Sequence, residues 1–174
     1  MDMKQFEEIS LLGRIGYAIM CAEAYLTAIH PSRDWRPLFE MLWSICDKGT
    51  FWDEWASEIL EILPECLFEF PSFEQSDFSH LDEKDYEIMK SLLSDYDSGT
   101  DILLEGIRNM EEAYAYTEID GIGEESLDIL EDIVEVLEKA AVPLPDPKAV
   151  AFSSFEECGG RGEPFDYHLL SAVL

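Results

Sequence analysis

"EESLDILEDIVEVLEKAAV", residues 124–142, is the stretch whose reading decides the fold class. At about 100° per residue, Leu127, Leu130, Val134, Leu137 and Ala141 fall on one stripe. Ile129, Ile133, Val136 and Ala140 widen that stripe to about half the circumference. Glu124, Asp128, Glu131, Glu135 and Glu138 form a ridge on the opposite side, with Glu125 and Asp132 next to it. Lys139 is the one nearby base. Like charges four residues apart cost a few tenths of a kcal/mol per pair. Burial of a large apolar side chain returns ~1.5–3 kcal/mol, so the apolar face outweighs the repulsion. The stretch therefore reads as a helix that buries one half and displays a row of carboxylates on the other.

The same period recurs outward along the chain. Helices are predicted over about 4–29, 34–47, 51–63, 81–96 and 100–118. Residues 65–80, rich in Phe, read as a loop or short helical turns. Thr50 with Asp53, and Ser98 with Asp101, stand at capping spacing. The first helix is apolar nearly all round, which places it at the centre. Arg14 and Glu23 interrupt its apolar run, and both would be costly near a bilayer centre, so a buried core helix is expected and not a membrane span. Only "KAVAFSSF", 148–155, hints at a period of two. The whole reads as one all-α domain: a single bundle of about six helices (core 4–142) with an irregular Gly/Pro-containing C-terminal segment (143–174). Gly159, Gly160 and Gly162 suit a tight turn that folds this segment back over the helices, pinned by Phe152, Phe155 and Phe165.

Composition limits the partners. Thirty-nine Asp and Glu against eleven Lys and Arg give a net charge of −28, while 47% of the residues are hydrophobic. That apolar share supports a packed core, unlike a disordered acidic tail. The charge repels nucleic acid and anionic membrane and attracts basic partners, although solubility alone would also account for it. Cys21, Cys46, Cys66 and Cys158 form no CxxC pair, and acids stand near the start where a signal peptide carries bases; both point to a reduced, cytoplasmic protein.

Chemistry is hard to find. His30, His80 and His168 have no partner at metal-ligand spacing, and neither HExxH nor GxSxG occurs. "DSGTD", 97–101, is too short for a calcium loop. Acids surround the glycine cluster near 160, which argues against phosphate. We expect no enzyme activity, no metal and no cofactor. Trp35, Trp43, Trp52 and Trp55 lie within one short region; helical spacing places Trp43 in the core and leaves one of Trp52 and Trp55 able to face solvent.

Three stretches carry a resemblance. They are "LLGRIGYAIMCAEAYLTAIHPSRDWRPLFEMLWSICD" (11–47), "FWDEWASEILEILPE" (51–65) and "AFSSFEECGGRGEPF" (151–165). In their sizes and breaks they resemble the all-α immunity proteins of bacterial polymorphic-toxin systems; Gly160 and Arg161 stand where that family has an aromatic residue. The resemblance implies a cytoplasmic inhibitor that binds one cognate toxin protein, often a nuclease; separately, we expect a monomer or homodimer. It carries over no catalytic residues. A basic toxin cleft would suit the ridge of Asp128, Glu131, Glu135 and Glu138, or a second acidic patch at Asp82, Glu83 and Asp85 within 74–87. Two other readings remain open: a DNA-mimic regulator of a nucleic-acid-binding protein, and a helical adaptor without inhibitory role.

Overall fold

Ser10 sets where the central helix begins. Its side chain accepts the Gly13 N–H at 3.0 Å, a side-chain N-cap. In the computed structural model, which describes residues 1–174, α1 therefore spans Leu11–Ile29 and not residues 4–29. The expected extra turns become a short 3-10 helix at Met3–Phe6 that folds beside the bundle. α1 is buried on nearly every side, as its composition requires.

Around it stand α2 (Arg36–Trp43), α3 (Trp52–Ile62), the single turn α4 (Pro64–Leu67), α5 (Glu83–Leu92), α6 (Ser98–Glu112) and α7 (Glu124–Lys139). α6 and α7 pack on α1 and on each other, α2 lies against α1, and α3 packs on α6. There is no β-sheet; "KAVAFSSF" forms a 3-10 turn at Pro147–Val150 and one isolated bridge, Ile9 to Ser154. A tail that crosses a helical bundle has no neighbouring strand with which to extend a ladder.

Two of the expected caps are displaced. Thr50 does not cap α3, because its hydroxyl donates to the Ser44 carbonyl at 2.7 Å and Phe51 holds the cap position. α6 is capped by Asp97 and not Ser98: Oδ1 of Asp97 accepts the Thr100 N–H at 2.8 Å. α7 ends three residues short of the quoted stretch. Ala141 takes a left-handed φ of 54°, the Val142 N–H donates to Leu137 O at 2.9 Å, and the Ala141 N–H donates to Glu138 O at 3.1 Å. This is a Schellman cap built on alanine, and Ala140 and Ala141 are exposed instead of continuing the buried stripe.

The C-terminal segment completes the bundle. The Arg161 carbonyl accepts the Leu12 N–H at 2.9 Å, which satisfies a first-turn donor of α1. Ser153 O accepts the Ser10 N–H at 2.9 Å, and the two Ser hydroxyls lie 2.6 Å apart. Gly162 (φ 86°) makes this closeness possible, since a Cβ there would lie 2.2 Å from Ser10 Oγ. Phe165 packs on the core and Phe155 lies under Arg14, but Phe152 is 55% exposed; Val150, Ser153 and Tyr167 are the buried anchors. No helix is long and apolar enough to cross a membrane.

Two substitutions test these joints by denaturant unfolding. Ala141→Gly relieves the left-handed strain and should add about 1 kcal/mol of stability. Gly162→Ala should remove at least ~2 kcal/mol, through positive-φ strain together with the Ser10 clash.

Candidate functional site

The ridge is where the sequence places it. Asp128, Glu131, Glu135 and Glu138 are all exposed on the outer side of α7, while Leu127, Leu130, Ile133, Val134, Val136 and Leu137 are buried beneath them. Few cations answer these acids. Lys139 Nζ donates to Glu135 Oε2 at 2.6 Å, and the Met1 amino group lies 3.1 Å from Glu138 Oε1. Water screens exposed pairs of this kind, and they leave most of the field unneutralised. Asp128 and Glu131 make no ion pair.

Each flank of the ridge has a shallow cavity. One, about 330 Å³, separates its first half from residues 1–7 and includes Glu7, Asp128 and Glu131. The other, about 480 Å³, lies between the second half of α7 and the start of α6; Asp97, Asp132 and Glu135 line it, so the acidic surface continues around the helix. Burial alone would raise the Asp97 carboxyl, but bonds from Tyr25 Oη (2.7 Å), the Thr100 N–H and the Thr100 hydroxyl hold it below the usual range. Its charge is a fixed part of that cavity.

The second acidic patch is partly committed to the fold. Asp82 is exposed, but its Oδ1 accepts the Asp85 N–H at 2.8 Å as the N-cap of α5; Glu83 is exposed and Asp85 is half-buried. Beside them Glu61 of α3 accepts the backbone N–H groups of Ser79, His80 and Leu81. Burial would raise that carboxyl, and these donors bring it below normal. The loop before α5 is thus wrapped on Glu61. α7 packs on α1 and α6, whereas α5 packs on α2 and α4, so the two patches are not built on shared elements.

Three buried charges were not assigned a role by the sequence pattern. Arg14 is fully buried and meets no carboxylate: Nε donates to Phe6 O (3.1 Å), Nη1 to Gly123 O (3.1 Å) and Ser126 Oγ (2.8 Å), and Nη2 to Glu7 O (3.3 Å). Burial lowers its pKa to about 10, partly opposed by Tyr114, Glu124 and Glu7, so it stays charged at neutral pH. Glu23, also in α1, accepts Trp43 Nε1 at 2.8 Å, the Ser171 hydroxyl, and the Ala172 N–H at 2.7 Å. It ties the last residues to the core, while Trp43 stacks on Tyr167 with ring centres 5.3 Å apart.

Glu111, near the end of α6, is 2% exposed and accepts no hydrogen bond from any side chain or N–H. Burial raises its pKa to about 7; Glu112 and Asp53 add to the rise, and Arg108 and Arg161 oppose it. The signal that could have found these residues is a charged side chain at an apolar phase of its helix.

The histidines and cysteines form no reactive cluster. His168 Nδ1 lies 2.9 Å from Asp166 Oδ1 on the exposed surface, and the four cysteines are free. His30 caps through its backbone, not its ring: its N–H donates to Leu26 O, and its carbonyl accepts Trp35 Nε1. Trp55 is buried and Trp52 half-buried against the core, so neither is left facing solvent. No three His, Cys, Asp or Glu side chains are placed to hold a metal ion. No protein-family model, curated protein or solved structure matches the chain.

The raised Glu111 fixes a sign. Between the ordinary carboxyl range and about pH 7 the folded chain holds this proton more tightly than the unfolded chain does, so its contribution to stability falls as pH rises. Glu111→Gln should match the native protein in stability at pH 5 and exceed it at pH 8, read by urea unfolding at the two pH values.

Proposed function

We propose that this protein is an inhibitor of the immunity type, which binds a basic, nuclease-type bacterial toxin domain and blocks its cleft with the outer face of α7. It acts by binding, without chemistry of its own. The observation that supports this reading is the ridge itself: Asp128, Glu131, Glu135 and Glu138 stand exposed on one rigid helix, and Lys139 is the only side-chain cation paired with any of them. Steps of three and four residues at 1.5 Å each space these carboxylates about 4.5–6 Å apart along the helix axis, the same order as the ~3.4 Å axial spacing of phosphates in one nucleic-acid strand. A cleft built for phosphates would meet a matching row of negative charge, and the −28 net charge would speed the encounter. The resemblance of the helical hairpin and the closing glycine segment to all-α immunity proteins points the same way.

The test is capture from the native host with the protein as bait, washed at low and then high salt, alongside the triple variant Asp128→Lys, Glu131→Lys, Glu135→Lys. A single basic protein with a toxin-like domain should be retained by the native protein and released by salt. The variant should fold normally and associate at least ~10-fold more slowly at low salt. Equal association rates would remove α7 as the contact. Many basic proteins that wash off together would instead favour the adaptor reading, with acidity serving solubility.

A further inference from the structure

A third cavity, about 460 Å³, lies away from the ridge, between the start of α3, the end of α6 and the glycine turn of the C-terminal segment. Trp52, Tyr116 and Leu12 supply apolar wall, and Asp53 and Glu111 supply carboxylates. Tyr116 is 90% exposed at its mouth, with Phe51 exposed next to Trp52 in the chain. Asp101 Oδ1 is the one buried side-chain oxygen or nitrogen that is both sealed from solvent and unpartnered. Glu111 has no partner either, so the sliver of surface it keeps belongs to its carboxylate.

The neighbouring cations are already engaged. Arg108 pairs with Glu112 and donates to Ala56 O. Arg161 donates to the carbonyls of Tyr114 and Thr117, and its guanidinium lies over the Trp52 ring at 5.6 Å. Against that one wall cation stand two carboxylates, one of them, Glu111, almost wholly buried and without a donor from the chain.

We propose that this cavity receives a basic side chain, lysine or arginine, of a protein partner. The proposal rests on the reading above that the partner is a basic protein. A lysine or arginine has an apolar stem and a charged tip, which suits an aromatic mouth over a carboxylate floor. The tip would give Glu111 the donor it lacks, and an unpaired buried carboxylate gains most from such a donor. This contact would add discrimination among basic partners to that of the exposed ridge.

The experiment needs no partner protein. N-acetyl-arginine methylamide, N-acetyl-lysine methylamide and the neutral isostere N-acetyl-citrulline methylamide are titrated into the full chain, with the Trp52 indole N–H followed by NMR. The two cationic probes should saturate, and the citrulline probe should bind at least about tenfold more weakly. Glu111→Gln should weaken the cationic probes by about tenfold or more, while the ridge control Glu131→Gln, which removes the same charge, should leave them within about twofold. Cationic binding should tighten from pH 6 to pH 8 as Glu111 ionises among Asp53, Glu112, Arg108 and Arg161. Equal loss in the two variants, equal binding of the citrulline probe, or no saturable shift at Trp52 would overturn the proposal. Urea unfolding of Glu111→Gln confirms that the variant is folded. A toxin captured through the ridge with no probe bound would remove the cavity proposal alone. A probe bound through Glu111 with no toxin captured would remove the inhibitor reading alone.

Discussion

The Arg14 guanidinium ties three other parts of the molecule to α1 at one point. It reaches the carbonyls of Phe6 and Glu7 before α1, the carbonyl of Gly123 and the hydroxyl of Ser126 at the start of α7, and the Phe155 ring in the C-terminal segment, 5.1 Å from its centre. A buried cation normally requires a carboxylate, and this chain has thirty-nine. It uses neutral oxygens instead. Four good acceptors can replace the water that a guanidinium loses on burial; without the side chain, Phe6 O would keep only the Ile9 N–H and Gly123 O only Ser126, while Glu7 O would lose its donor. The position of α7, and so of the ridge, depends on this contact. Gly123, left-handed at φ 71°, lets the chain approach: a Cβ there would lie 3.0 Å from Arg14 Nη1.

Glu23 plays the complementary part at the other end of the same helix. It collects Trp43, Ser171 and Ala172, so that α2 and the final residues close on α1 through one carboxylate. Burial pushes this carboxyl up, and the three donors oppose the rise. The two charges that argue against a membrane span are thus the two that organise the interior. A helix apolar on all sides has no intrinsic register with its neighbours, and directional hydrogen bonds to charged groups provide one.

The surface follows a different rule. Acids outside the core are tolerated at a cost of tenths of a kcal/mol each, so their number carries little structural information. Their placement does. On α7 they collect on one face because the other face is needed for α1 and α6. At α5 they cluster because Asp82 caps the helix and Asp85 follows in its first turn, where the helix dipole favours negative charge. The first arrangement leaves Asp128 and Glu131 without an ion pair and Glu135 and Glu138 with one exposed pair each, whereas the second spends part of its carboxylates on the fold.

Helix content, the central place of α1, the two faces of α7 and the exposed ridge were legible in the sequence, because each follows from local periodicity and from the free-energy difference between apolar and charged side chains. Helix ends were less legible. Ser10, Asp97 and Ala141 set them through bonds whose competing candidates, such as Thr50 and Ser98, look equivalent until their side chains are placed. The C-terminal segment shows the limit most clearly: its glycines predict a turn, but only the folded chain brings Arg161 O to Leu12 and Gly162 onto Ser10. The Glu111 cavity lay beyond sequence reasoning altogether. Its walls come from residues 12, 52–53, 111–116 and 158–164, and their meeting is decided by long-range packing, which no local pattern encodes.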